Sequence, residues 1–175
     1  MNRKSGYGPT GALVAICLAL APLAAVADDL WTGKSAAFFG VSFLDTSTEG
    51  AVKGARTDEA ERIDLVRTYI AERFIAGGLE LVDLAPVQEE LDRTLNPAKC
   101  NGCELRMAKR LGADYAIVSE VQKVSNLILS MNIQVRDPET GRNLRASSVE
   151  IRGNTDDSWL RGMRYILERA IFRDG

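Results

Sequence analysis

The chain contains no histidine. That absence removes Ser-His-Asp and Cys-His catalysis, and with them histidine-ligated zinc and haem. No long basic run exists, and acids slightly outnumber bases, 24 to 22, so no nucleic-acid partner is expected. No internal repeat and no low-complexity segment is present. The chain also lacks an apolar run of bilayer-spanning length. The longest, residues 12–25, is shorter than the about 20 residues a membrane helix needs, and Pro22 interrupts it.

What that run does suit is an export signal. Arg3 and Lys4 give a positive start with no acid nearby, and Ala25-Val26-Ala27 has the small-x-small form read by signal peptidase. Cleavage is expected between Ala27 and Asp28, so that residues 1–27 are a signal peptide and 28–175 a single domain. Cys17 is a poor lipidation site, because Ile16 precedes it and it lies mid-run. No stable membrane anchor is therefore expected after cleavage, and the compartment is expected to be the periplasm. Losing Arg3 and Lys4 takes the net charge from −2 to −4. About 150 residues is enough to bury one core.

The domain reads as α/β with a mixed sheet. Residues 28–35 are an expected flexible lead-in. Residues 36–45 are almost continuously apolar, as in a strand buried on both faces. A small-residue loop with Gly50 and Gly54 follows. Residues 57–76 carry Ile63, Val66, Ile70 and Phe74 on one stripe, with Asp58, Glu59 and Glu61 near the positive end of the helix dipole, Thr57 as cap, and Gly77-Gly78 as stop. A strand at 79–84, a short helix at 86–95, a helix at 104–111 and a strand at 113–124 come next. Residues 127–137 alternate cleanly, with Leu129, Met131, Ile133 and Val135 on one side. After a turn at 137–141, a strand at 143–152 and a helix at 158–172 complete the chain. The order β-α-β-α-α-β-β-β-α predicts about five strands, parallel early and antiparallel late, with helices packed on the sheet.

Two cysteines survive export, Cys100 and Cys103, and an oxidising compartment favours a disulfide between them. The spacing also admits thiol-redox work, since a helix follows. Against that, no aromatic residue precedes Cys100, and Asn-Pro-Ala-Lys replaces the expected buried strand. Glu104 stands where c-type haem attachment needs histidine. Two thiolates are half a zinc site, so no metal and no cofactor is assigned.

The segment 152–159, Arg-Gly-Asn-Thr-Asp-Asp-Ser-Trp, begins like a calcium loop. It then puts Trp159 where glycine is required and Tyr165 where the bidentate glutamate belongs, which rules that loop out. It reads either as a helix cap through Asn154 or Thr155, with Trp159 as first core residue, or as a partner-recognition surface of Arg152, Asn154, Asp157 and Trp159. Asp45 ends the first strand, where open α/β sheets bind ligands, beside hydroxyls at Thr46, Ser47 and Thr48. No Gly-rich phosphate fingerprint accompanies it.

The Cys-x-x-Cys pair, Arg110-Leu-Gly-Ala-Asp-Tyr115, Val121-Gln-Lys-Val-Ser125 and the 152–159 segment together resemble a family of small exported proteobacterial proteins known only as a domain of unknown function. Leu111-Gly-Ala-Asp-Tyr115 is also similar to a strand opening in the TolB amino-terminal domain and in CsgG- and LpoB-like envelope proteins. That resemblance implies an envelope binding or assembly module rather than an enzyme, with an envelope or periplasmic protein as partner. The alternatives are a thiol-redox accessory protein using Cys100 and Cys103, and small-ligand binding near Asp45.

Overall fold

In the computed structural model, residue 1 and residues 30–173 are described; the expected signal peptide and the Ala27–Asp28 junction lie outside the described residues. The strand β1 (Ser35–Asp45) leads into a short helix α1 (Thr48–Lys53) and a long helix α2 (Thr57–Ala76). A two-residue strand β2 (Glu80–Leu81), a 3-10 turn (Ala85–Val87) and the helix α3 (Gln88–Asp92) follow, then a second 3-10 turn (Pro97–Lys99) and the helix α4 (Cys103–Arg110). The strands β3 (Tyr115–Ser125), β4 (Ile128–Arg136) and β5 (Asn143–Arg152) precede the helix α5 (Asp156–Ile166), which runs into a π-turn (Leu167–Ile171). The strands form one five-stranded sheet in the order β2-β1-β3-β4-β5. The β1 strand is parallel to β2 and β3; the β3-β4-β5 meander is antiparallel.

Helices cover both faces unequally. On one side Val66, Ile70 and Phe74 of α2 and Trp159, Met163 and Ile166 of α5 pack on Ile117, Val121, Leu129, Met131, Ile133 and Val135. On the other, Met107 and Ala108 of α4 cover Ala37, Phe39, Ala116 and Val118. The polar alternate residues of β4, Ser130, Asn132 and Gln134, lie partly exposed on that second side.

Several expectations needed revision. Residues 46–54 are not a loop: Ser47 caps α1, its Oγ accepting from Gly50 N at 3.0 Å. Thr57 does not cap α2; Arg56 occupies the cap position and makes no side-chain capping bond. The second strand shrinks to two residues, Glu80 and Leu81, and a turn follows in which Asp83 Oδ1 accepts from Ala85 N at 3.0 Å. The lead-in is not loose over its described part. Trp31 is 8% exposed, its ring stacked edge-on to Phe74 and Tyr115, and the Tyr115 hydroxyl donates to Leu30 O at 2.8 Å.

Register slips between Phe38 and Val41, at Gly40, whose φ of 81° favours glycine. Before the slip Ala36 and Phe38 face the α2 side; after it Val41 and Phe43 do. Asp45, opposite Lys123 in the ladder, is thereby turned to the α2 side as well.

Candidate functional site

The parallel strands β1 and β3 end side by side at Asp45 and Lys123. Connections leave these two strands in opposite directions across the sheet, the arrangement that opens a crevice in α/β folds. Here the crevice mouth is filled by charge. Lys123 is 0% exposed, yet it lies on a strand face otherwise made of Tyr115, Ile117, Ser119 and Val121. Its Nζ donates to Glu59 Oε1 at 2.7 Å and to Asp45 Oδ2 at 3.2 Å, with Glu49 Oε2 at 4.0 Å.

Each carboxylate arrives from a different element. Glu59 stands in the first turn of α2, 2% exposed, on the same stripe as Ile63, Val66 and Ile70. Its Oε1 also accepts from Asn154 Nδ2 at 2.7 Å, while Oε2 finds no donor among the described residues. Asn154 Oδ1 accepts from the indole Nε1 of Trp159 at 2.9 Å. Asp45 Oδ1 accepts from Ser47 N and Ser47 Oγ at 2.8 and 2.6 Å. A Cβ at Gly50 would collide with the Asp45 carboxylate, so glycine leaves that carboxylate its place beside Ser47. Glu49 of α1 is held by Asn126 of the β3–β4 turn and by Lys53. At the rim Arg62 spans Asp58 and Asp156 at 2.9 and 2.8 Å. The network joins α1, α2, the β3–β4 turn and the β5–α5 loop to the sheet ends.

The electrostatics are those of a closed staple. Burial pushes the Asp45 carboxyl up, but the Ser47 hydrogen bonds and the Lys123 ammonium outweigh it and hold it below the ordinary aspartate value. Burial likewise pushes Lys123 down, and its bonds to Glu59 and Asp45 reverse that, leaving it above the ordinary lysine value. Both groups are fixed in their charged forms at neutral pH. Such groups are poor proton shuttles, because a general acid or base works best with a pKa near the operating pH.

Beside the staple a cleft of about 390 Å³ is lined by Phe43, Asp45, Thr46, Ser47, Gly50, Ala51, Gly54 and Ala55. Asp45 is the only charged group in that lining, and its carboxylate is already engaged.

The sequence-derived candidates sort clearly. Asp45, Asn154 and Trp159 meet in one network. Trp159 is fully buried and cannot contact a partner, so the recognition surface drawn through it is corrected: its role is internal. Arg152 and Asp157 are exposed, Asp157 paired with Arg161 at 3.2 Å. Thr155 caps α5, accepting from Ser158 N at 3.3 Å. Lys123 and Glu59 were missed. A lysine on the apolar face of a strand and a glutamate on the apolar stripe of a helix were the signals that could have shown them.

On the opposite face Cys100 and Cys103 are joined as a disulfide at the start of α4, with their Cα atoms 5.5 Å apart. Cys100 Sγ lies 3.2 Å from Glu104 Oε2, and Glu104 is ion-paired to Arg136. Sulfur and carboxylate atoms of Cys100, Cys103 and Glu104 fall within 4.8 Å of one another. Joined to each other, the sulfurs are not thiolates, and thiolates are what a metal would need. Nearby Glu120, also buried, is held by Asn96 and by Lys99 at 2.8 Å.

A family match runs over residues 34–171, from the first strand to the final π-turn. The chain belongs to the DUF3280 family. The family description is "Protein of unknown function (DUF2380)". No curated protein matches the chain. Among solved structures it is similar to the LpoB C-terminal domain from Salmonella enterica, at 18% identity and TM-score 0.48, covering 72% of this chain and 87% of that one. It is similar to Lipoprotein GNA1162 from Neisseria meningitidis, at 18% identity and TM-score 0.49, covering 75% and 90%. It is also similar to the PelC dodecamer from Paraburkholderia phytofirmans, at 10% identity and TM-score 0.45, covering 77% and 86%. Among the described residues no helix is long and apolar enough to cross a membrane.

Proposed function

We propose that this chain is an exported, non-catalytic accessory protein of the cell envelope that binds a protein partner at the end of the sheet carrying the Lys123 staple. One observation carries the reading. Around that end Leu44, Val52, Val124, Leu127 and Ile128 are exposed, Leu127 at 71%. Leu44 comes from β1, Val52 from α1, Val124 from the end of β3, Leu127 from the β3–β4 turn and Ile128 from the start of β4, and the staple ties β1, α1, β3 and that turn together. Apolar side chains gathered on a rigid support are what a docking surface offers, whereas scattered ones carry no meaning. The ionisable groups beneath are spent on one another, which suits a scaffold and not a reaction centre. The periplasmic address rests on the N-terminal signal pattern and on the paired cysteines.

The test is affinity capture from periplasmic extract with the wild-type chain and with Leu127→Asp. A protein retained by the wild type and lost with the variant, at unchanged melting temperature, is the expected result. A protein retained equally by both places the contact elsewhere and overturns the reading. Small-ligand binding near Asp45 has less support, since its carboxylate is already occupied.

A further inference from the structure

Cys100 and Cys103 stand at the start of α4 with a buried carboxylate against them. Glu104 is 1% exposed, and Cys103 is closed off as well, at 6%. Glu104 Oε1 accepts from Arg136, whose guanidinium also donates to Gly141 O at 2.9 Å. Glu104 Oε2 faces Cys100 Sγ at 3.2 Å. In the disulfide that sulfur carries no hydrogen, so Oε2 has no donor among the described residues. A buried carboxylate oxygen without a donor is costly. This one is aimed at the two sulfurs, and all three ligand atoms lie within 4.8 Å of one another.

Reduction changes the chemistry of the cluster. The sulfur–sulfur bond takes up two electrons and two protons from a dithiol, which itself becomes a disulfide, and two thiols are left. Cys103 is the first residue of α4, where the helix dipole favours a thiolate, and Thr94 Oγ1 lies 4.0 Å from its sulfur. Two thiolates and Glu104 carry three negative charges, against one positive charge on Arg136. Lys99 does not make up the difference, since it is committed to Glu120 at 2.8 Å. A dication does, and brings the charge of the cluster to zero.

We propose that in the dithiol state Cys100, Cys103 and Glu104 together hold one Zn2+ ion. Zinc accepts thiolate and carboxylate ligands in one tetrahedron, whereas Mg2+ and Ca2+ take oxygen ligands. Two sulfurs on one zinc lie about 3.8 Å apart, because each Zn–S bond is about 2.3 Å. The Cα atoms of Cys100 and Cys103 are 5.5 Å apart, so rotation of the side chains supplies that separation with the backbone in place. Glu104 Oε2 gains the positive partner it lacks. Oε1 keeps Arg136, which orients the carboxylate from behind. Cys100 is half-buried, so the fourth position opens to solvent and takes a water. As zinc binds, the two thiol protons pass to water. The disulfide and the metal site use the same sulfurs and exclude each other.

Cobalt titration of the full-length chain tests this. The protein is reduced with a phosphine, freed of metal, kept from air and titrated with Co2+, then with Zn2+. Sulfur-to-cobalt charge transfer in the near ultraviolet reports thiolate ligation, and intense visible bands report four-coordination. One Co2+ per reduced chain with both signatures, displaced by one Zn2+, and no binding by the disulfide form, is the expected result. Glu104→Gln should weaken binding at least about tenfold, since even residues behind a metal ligand are worth that much. That variant leaves Arg136 without its carboxylate, so the double variant E104Q/R136M, which leaves neither charge, is measured beside it. It should show the same loss, with the fold of both checked by circular dichroism. Four results would each overturn the proposal: no sulfur-to-cobalt band in the reduced wild type, one ion shared by two chains, equal binding by the disulfide form, or a folded variant that binds as tightly as the wild type.

Discussion

Replacing Lys123 with methionine removes the ammonium while keeping most of the side-chain volume. In the wild type that ammonium sits 2.7 Å from Glu59 and 3.2 Å from Asp45, with no solvent exposure. Glu59 is 2% exposed, and its second carboxylate oxygen already lacks a donor. Removing one partner from such a buried pair typically costs about 3–5 kcal/mol, because the remaining charge is left uncompensated. A domain of this size loses about 2–4 °C of melting temperature per kcal/mol. Lys123→Met should therefore lower the melting temperature by roughly 10 °C at pH 7. The pH dependence adds a second constraint. Without the ammonium, the Asp45 carboxyl loses one of the causes that hold it below the ordinary aspartate value. A carboxyl with a depressed folded value stabilises above its unfolded value, near 4, and ceases to do so as pH falls through the folded one. The variant gives up part of that contribution, so its deficit should shrink between pH 7 and about pH 3. Adding Glu59→Gln should also recover part of it. Thermal melts of the wild type and both variants across that pH range make the assay. A loss below about 1 kcal/mol, or a deficit that does not change with pH, would refute the claim that this ion cluster is desolvated and mutually dependent.

Further outcomes follow from the same structure. Gly40→Val forces a β-branched residue into a φ of 81° at the β1 bulge and should cost about 1–3 kcal/mol, read as a lowered urea midpoint at unchanged slope; an unchanged midpoint would show that the bulge does not depend on glycine. A Cys100→Ser/Cys103→Ser variant should still fold and lose roughly 2 kcal/mol, as expected for so short a closed loop. A loss of partner capture without loss of stability would instead point to a redox role. Asp45 and Asp114 are both held below the ordinary aspartate value, the latter chiefly by the Ser35 backbone N–H. Depressed carboxyls stabilise fully above their unfolded value and cease to do so as pH falls through the folded one. Stability should accordingly be level from pH 7 to about 5 and decline below about 4. Steady stability down to pH 2 would contradict these assignments.

Some of this was legible in the residues and some was not, for physical reasons. Strict alternation in 127–137 and the stripe from Ile63 to Phe74 gave strand and helix unambiguously, since each buries one face only. The helix α1 is six residues with a glycine inside, too short for a period to register. The slip at Gly40 was hidden because residues on both faces of β1 are apolar, so alternation cannot reveal a change of side. Trp31 looked like part of a loose lead-in because its partners Phe74, Tyr115 and Phe172 are distant in sequence. Lys123 and Glu59 are hard to single out in the sequence because charged residues are ordinarily solvated. Their positions on apolar faces were visible, but a buried lysine needs its carboxylates nearby, and only the folded chain brings them there. Asp45 was singled out as a ligand group; its neighbours turn it into a structural one.

Under the proposed function, the apolar residues exposed at the Lys123 end of the sheet meet another protein. Site-specific photocrosslinking in intact cells tests it most directly, with the reactive residue placed at Leu127 and, as control, at Ile75, an exposed apolar position at the far end of α2. A discrete adduct from position 127 and none from position 75 is the predicted result. No adduct from position 127, or the same adduct from both positions, would contradict it.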